Sequence, residues 1–449
     1  MGRARLGAAA LASVIAATLV CGCASPSPGG PAAPTSAGRV SPGTAVPSSA
    51  AAVQEETWSD LRASAGSELI RSRAAAAVAG DVRTWLARVQ GRNLRTAQEK
   101  VFARMQAIRV EQMRLRSIEE TRPPVPATHG TSATWESRAT LEYRIAGFDE
   151  FPRSFTLALT FAADPARPAE TAVITGSRPD DRPEPWDLNG LQARSSDHSL
   201  VLAFGADSAA AADEVTRRAD AAARRVSAVL GAAEAAVWIV PATDADAARL
   251  LGRDEGELDG VAAATDGPIG PDQPAGADRI VVVPGAWSAL TGVGRDVIVA
   301  HELTHATARR TSKRQPPLWL AEGFAEYVAY RDVELPERHL VRSALDRITS
   351  TGLPAGPPGA PEFHSSSGDL TVAYGLSLTL ARTIADQYGT DALVALFRVV
   401  NESEPDPGPL PAHGDRLTDQ VLRSRLGTSM AEVVAAWQSR LSALVAQPG

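Results

Sequence analysis

The chain has little of several things that commonly organise a protein. Of its 449 residues only two are cysteine, and both, Cys21 and Cys23, lie near the start. No cysteine follows Cys23, so no disulfide can close within the body of the chain, whatever compartment holds it. Aromatic residues make up 5%, which leaves cores to be built largely from alanine, leucine and valine. Cations are in the minority, 45 Lys and Arg against 52 Asp and Glu, for a formal charge of −7. The arginines are interleaved with acids rather than massed, which argues against a nucleic-acid partner. Beyond the N-terminal stretch no apolar run is long enough to cross a bilayer. Histidine is scarce too, at seven, so any clustering of it carries information.

The first 23 residues read as an export signal. Arg3 and Arg5 give a basic start, and "LGAAALASVIAATLV" is apolar but short for a membrane span. Val20-Cys21-Gly22-Cys23 resembles a bacterial lipobox, in which a small residue precedes the cysteine that is lipidated and becomes the mature N-terminus. Gly22 before Cys23 fits better than the bulky Val20 before Cys21. The resemblance implies a lipid on Cys23 and a protein held at the extracytoplasmic face of the cell membrane. The alternative is a plain secretory peptide with incidental cysteines. Residues 24–53 are Pro, Ser, Ala and Gly with almost no large apolar group. Such a composition cannot bury enough surface to offset its ordering entropy, so it reads as a disordered tether.

The remaining length suggests two domains, expected over 54–185 and 196–449. From Gln54 to Ile108 the residues are good helix formers, broken at Gly80-Asp81. The period then changes. Trp135, Ala139, Leu141, Tyr143 and Ile145 fall on alternate positions, as do Phe155, Leu157, Leu159 and Phe161. Those are half-buried antiparallel strands, with weaker candidates at 112–118 and 171–176. Helices followed by a meander predict an α+β domain. Its order and its "AVAGDVRTWLARV" opening resemble a nuclear-transport-factor-two-like, cystatin-like cone, over about residues 55–180. That resemblance implies a ligand pocket or docking module. No catalytic constellation appears in it, and His129 reads as a solvated loop histidine.

After "RPDDRPEPWDLNG", a linker by composition, strands and helices alternate. "HSLVLAFG", "AAVWIVP" and "DRIVVVPG" read as strands, residues 209–230 and 243–252 as helices, and "GRDVIVAHELTHATARR" as a helix directly after a strand. The pattern predicts a mixed sheet backed by helices, with a helical remainder to the C-terminus.

"HELTH" carries the chemistry. Four residues along a helix advance about 400°, so His301 and His305 lie about 40° apart on one face, one turn apart. Two imidazoles so placed can reach one ion, and zinc then needs a third protein ligand and an open fourth position. Glu302 is about 100° round from His301, beside such an ion, where its carboxylate can take a proton from water. In "PPLWLAEGFAEYVAYRD", Leu320, Phe324, Tyr327 and Val328 line one side, and Glu322 and Glu326 lie with Ala325 and Ala329 on the other. Two carboxylates among alanines on a buried face call for a cation or hydrogen-bond donors.

HELTH followed by LWLAEGFAEY resembles the gluzincin metallopeptidases, firmly over about residues 280–330 and plausibly to the C-terminus as a zincin helical subdomain. The resemblance implies zinc held by His301, His305 and Glu322, with Glu302 as the base and a peptide or protein as substrate. It places the ligand before Gly323, which leaves Glu326 to orient a ligand histidine. Gly323 reads as removing a side chain beside the metal. The gap from His305 to Glu322 is slightly shorter than in the aminopeptidase branch. That branch's amine-binding acid has no counterpart in "VVVPGAWSALTG", which favours an endopeptidase. Tyr374 is a candidate oxyanion donor, with a core role as the plainer reading, and Tyr327 and Tyr330 stand in the same position. His339, His364 and His413 read as solvated, and Arg309, Arg310, Lys313 and Arg314 as an exposed loop. Two rival functions remain open: zinc-dependent hydrolysis of another amide or ester, and a ligand-binding lipoprotein whose zinc is structural.

Overall fold

Alanine-rich sequence favours helix. In the computed structural model, which describes residues 49–125, 132–267, 276–364, 367–403 and 416–447, α1 (Ser49–Ala79) runs to Gly80. There φ is +68°, a conformation that suits glycine. Asp81 caps α2 (Val82–Leu86) by accepting from the backbone of Arg83 and Thr84, and α3 (Arg92–Ile108) follows. The export stretch, Cys23, the tether as far as residue 48, His129 and His413 lie outside the described residues.

Strands β1 (Val110–Val125), β2 (Ala133–Ile145), β3 (Arg153–Ala163) and β4 (Val173–Pro179) pair antiparallel in sequence order, with the single turn α4 (Pro168–Thr171) before β4. The alternation is literal in β2, whose Trp135, Ala139, Leu141, Tyr143 and Ile145 are buried. The stretch 178–190, expected as a linker, is partly core. Trp186 is buried edge-on to Tyr143 and Phe155, with ring centroids 4.7 and 5.2 Å away. One tryptophan among prolines and acids shows no period, yet the area it buries outweighs its polar neighbours.

The second sheet is mixed. It comprises β5 (Gln192–Ser195), β6 (Ser199–Ala203), β7 (Ala236–Val240), β8 (Ala263–Asp266) and β9 (Arg279–Val282) in the order β5-β6-β7-β9-β8. The central β6, β7 and β9 are parallel, and both edge strands are antiparallel. Helices α5 (Ser208–Leu230) and α6 (Asp244–Leu251) fill the crossovers. The edge strands, four residues each, are too short to show a period in the sequence. A short helix, α7 (Pro284–Ala289), separates β9 from α8 (Gly292–Arg309), where direct succession was expected. Helices α9 (Leu318–Ala329), α10 (Glu337–Leu340), α11 (Arg342–Thr351), α12 (Leu370–Tyr388), α13 (Thr390–Glu402), α14 (Arg416–Val421) and α15 (Met430–Ala446) complete the described chain. The protein is thus α+β, with one antiparallel and one mixed sheet.

The central strands are buried on both faces, as parallel strands usually are. Val201, Trp238 and Ile280 face a core shared with α5, α8, α9 and α12. Leu202, Ile239 and Val281 face a second core, which runs without interruption into α1, α3 and the first sheet. At this seam buried charges meet. Arg279 grips Asp149 with two bonds of 2.7 and 2.9 Å, and Arg153 and Arg182 hold Asp266 at 2.5 and 3.1 Å.

Candidate metal centre

Thr291 caps α8 by accepting from the Gly294 backbone, and every residue from Val297 to Ala306 is buried. The helical repeat sets the two imidazoles side by side. His301 Nε2 and His305 Nε2 are 2.9 Å apart, and Glu322 Oε2, from α9, lies 3.2 and 3.3 Å from them. A tetrahedral ion with bonds of about 2.0–2.1 Å would separate its donor atoms by about 3.3 Å, so the triangle fits such an ion. It is the one cluster of this kind among the described residues. Two imidazole nitrogens and a carboxylate oxygen converging on one buried point is an arrangement that a cation stabilises.

The approach of α9 to α12 sets the depth of Glu322. A Cβ on Gly323 would stand 2.5 Å from the Ser377 carbonyl oxygen of α12, so no side chain fits there. The expected close approach exists, but it is to the backbone of a neighbouring helix rather than to the metal position. One turn on, Glu326 Oε1 lies 2.9 Å from His301 Nδ1, within ion-pair range.

Glu302 is fully buried. Its Oε2 accepts from the Thr265 hydroxyl at 2.6 Å, while Oε1 has no hydrogen-bond partner among the described residues. Thr265 belongs to the edge strand β8, and the next residue is Asp266, held by Arg153 and Arg182 across the seam. Burial pushes the Glu302 carboxyl up to about 8. Burial also raises Glu326 and lowers His305. For His301 and Glu322 burial is outweighed. Bonds to Glu322 and Glu326 take His301 up to about 10, and the two histidines hold Glu322 down at about 2. A dication would invert this balance, favouring ionised carboxylates and neutral imidazoles.

Tyr374, on α12, is buried edge-on to His301 at 5.9 Å between centroids, with Phe363 behind it at 5.8 Å. Tyr327 instead bonds Thr390 at 2.7 Å, and burial raises Tyr330 far above an ordinary phenol. His339 and His364 are exposed. The basic run departs from expectation. Arg309 and Arg314 are buried, and Arg309 pairs with Asp278 at 3.0 Å and donates to the Gly267 carbonyl. Arg310 reaches Glu150 and Glu234. Arg309 and Arg310 close the junction between α8 and the seam, where acids from elsewhere in the chain supply the counter-charge. Sequence reasoning missed Thr265, Arg153 and Arg182, and the lone Thr-Asp pair in "VAAATDG" was the only signal for the first. Set against known proteins, the chain matches no family model, and no curated protein is similar to it in sequence.

Proposed function

We propose that the protein is a zinc-dependent peptide-bond hydrolase, an endopeptidase of gluzincin type, held at the extracytoplasmic face of the cell membrane by a lipid on Cys23. In this reading the first α+β unit is a nuclear-transport-factor-two-like cone, and the second is a zincin domain with a helical subdomain from about residue 316. No helix among the described residues is long and apolar enough to cross a membrane. The observation that carries the reading is Glu302, a buried carboxylate with one unpaired oxygen beside a triangle of three ligand-type atoms. Burying such a group is costly, and a metal site serving only the fold has no use for it.

His301, His305 and Glu322 would hold the zinc, which when bound polarises a carbonyl and lowers the pKa of water to about 7. Thr265 fixes one oxygen of Glu302 and leaves Oε1 to accept a proton from the attacking water. Glu302 then delivers that proton to the leaving amine. Tyr374 is the candidate hydroxyl donor to the developing oxyanion, and Glu326 keeps the His301 ring oriented.

Two measurements test this. Metal analysis of the purified protein should find about one zinc per chain. Iron in its place would point elsewhere, since two histidines and a carboxylate also suit Fe(II). The zinc form should cut acetyl-blocked peptides at internal bonds, and Glu302→Gln should keep the metal while hydrolysis falls by about 100-fold or more. Undiminished cleavage by that variant removes Glu302 from the mechanism. Zinc without cleavage of any member of a mixed peptide library favours the ligand-binding lipoprotein instead.

A further inference from the structure

A cavity of about 510 Å³ opens between α1, α3 and the first sheet, and no residue of the metal centre lines it. Part of its wall is apolar, with Val101, Met105, Leu157, Leu159 and Trp186 among the residues there. The volume is more than three times the ~150 Å³ cavity that accepts a benzene, and it falls within the range of small-ligand pockets. The charges around it run against the chain as a whole. Arg73, Arg92, Lys100, Arg104 and Arg178 line the cavity against one acid, Asp187, in a protein of formal charge −7.

Arg73 is the informative member. It is 6% exposed, and among the described residues no carboxylate pairs with it. Its guanidinium lies over the Trp85 ring at 3.7 Å and donates to the Trp85 carbonyl at 2.7 Å and the Gln98 amide oxygen at 2.6 Å. Burial lowers it to about 9. At the seam, by contrast, buried arginines have acids: Arg279 has Asp149, and Arg153 has Asp266. A buried charge left with dipoles alone is expensive. Asp187 does not relieve it, since the cation beside that carboxyl is Arg104 and its Oδ2 already accepts from the Glu184 backbone.

We infer that this cavity binds a single-chain amphipathic carboxylate, its tail against Leu157, Leu159 and Trp186 and its head paired with Arg73. One buried guanidinium balances one negative charge, which favours a carboxylate over a doubly charged phosphate. The volume suits one chain rather than two. The exposed Arg92, Lys100 and Arg178 at the opening draw an anion in.

The test is calorimetric titration of the full chain with decanoate, decanol and decyltrimethylammonium below their micelle concentrations. Decanoate should bind at least about tenfold more tightly than the cation, the worth of one charge-assisted bond. Arg73→Gln should cost decanoate a similar factor and leave decanol nearly unchanged. Ala97→Trp, at an exposed helix position that lines the cavity, should block all three. Equal affinity for anion and cation, no decanoate binding, or an indifferent Arg73→Gln each overturns the proposal. If Arg73→Gln does not fold, the anion–cation comparison together with Ala97→Trp decides it.

Discussion

At the scale of single residues, the candidate metal centre places two carboxylates of one helix in different company. Glu322 Oε2 touches both imidazole Nε2 atoms, whereas Glu326 touches only the far nitrogen of His301. The first position fits a ligand and the second a group that orients one. Glu322→Ala should therefore abolish tight zinc binding, and Glu326→Ala should weaken it by about 10–100-fold. Competition with a chelator of known affinity measures both. The reverse ranking would mean that the third ligand has been misassigned. Helical spacing alone left both glutamates open on one face, and only the resemblance selected Glu322. The proximity of α8 is what separates them physically.

Among the elements, one of the shortest bears directly on the proposed chemistry. Strand β8 is four residues long, and its Thr265 hydroxyl is the side-chain hydrogen bond to Glu302. Thr265→Val keeps the shape and removes the bond. It should leave metal content unchanged while lowering the hydrolysis rate about 10–100-fold, equivalent to about 1.4–3 kcal/mol for a bond to a charged group. Retained activity in a correctly metallated variant would show that Glu302 does not depend on this strand. Longer elements were easier to read. The alternation in β2 and the i, i+4 pair on α8 survive because each follows from backbone geometry alone. β5, β8 and the buried turn around Trp186 have no repeat to detect, and packing decides them.

For the molecule as a whole, the seam between the two sheets matters most. One core crosses it, and ion pairs between buried partners join Arg279 to Asp149 and Arg153 to Asp266. Scanning calorimetry should therefore show the two sheets unfolding in one transition. Arg153→Met should lower stability by about 3–5 kcal/mol, because Asp266 stays buried with only Arg182 to balance it. Two well-separated transitions would make the seam incidental. Burial would raise Asp266, but Arg153 and Arg182 outweigh it and hold the carboxyl below its ordinary range. Its contribution to stability is thus present above about pH 4 and lost as pH falls through the depressed value. Arg153→Met should flatten that acid limb.

The sequence by itself determined what local geometry can dictate. Helical pitch puts His301 and His305 on one face with Glu302 beside them, alternation marks β2 and β3, and Gly80-Asp81 divides α1 from α2. Tertiary structure alone decided what lies across large separations. It brought Glu322 onto both histidines, stood Gly323 against the Ser377 backbone, buried Arg309 on Asp278, and set Thr265 on a carboxylate 37 positions away. The physical reason is the same each time. Backbone periodicity is written residue by residue, whereas the partner of a buried charge is set by which elements the shared cores press together.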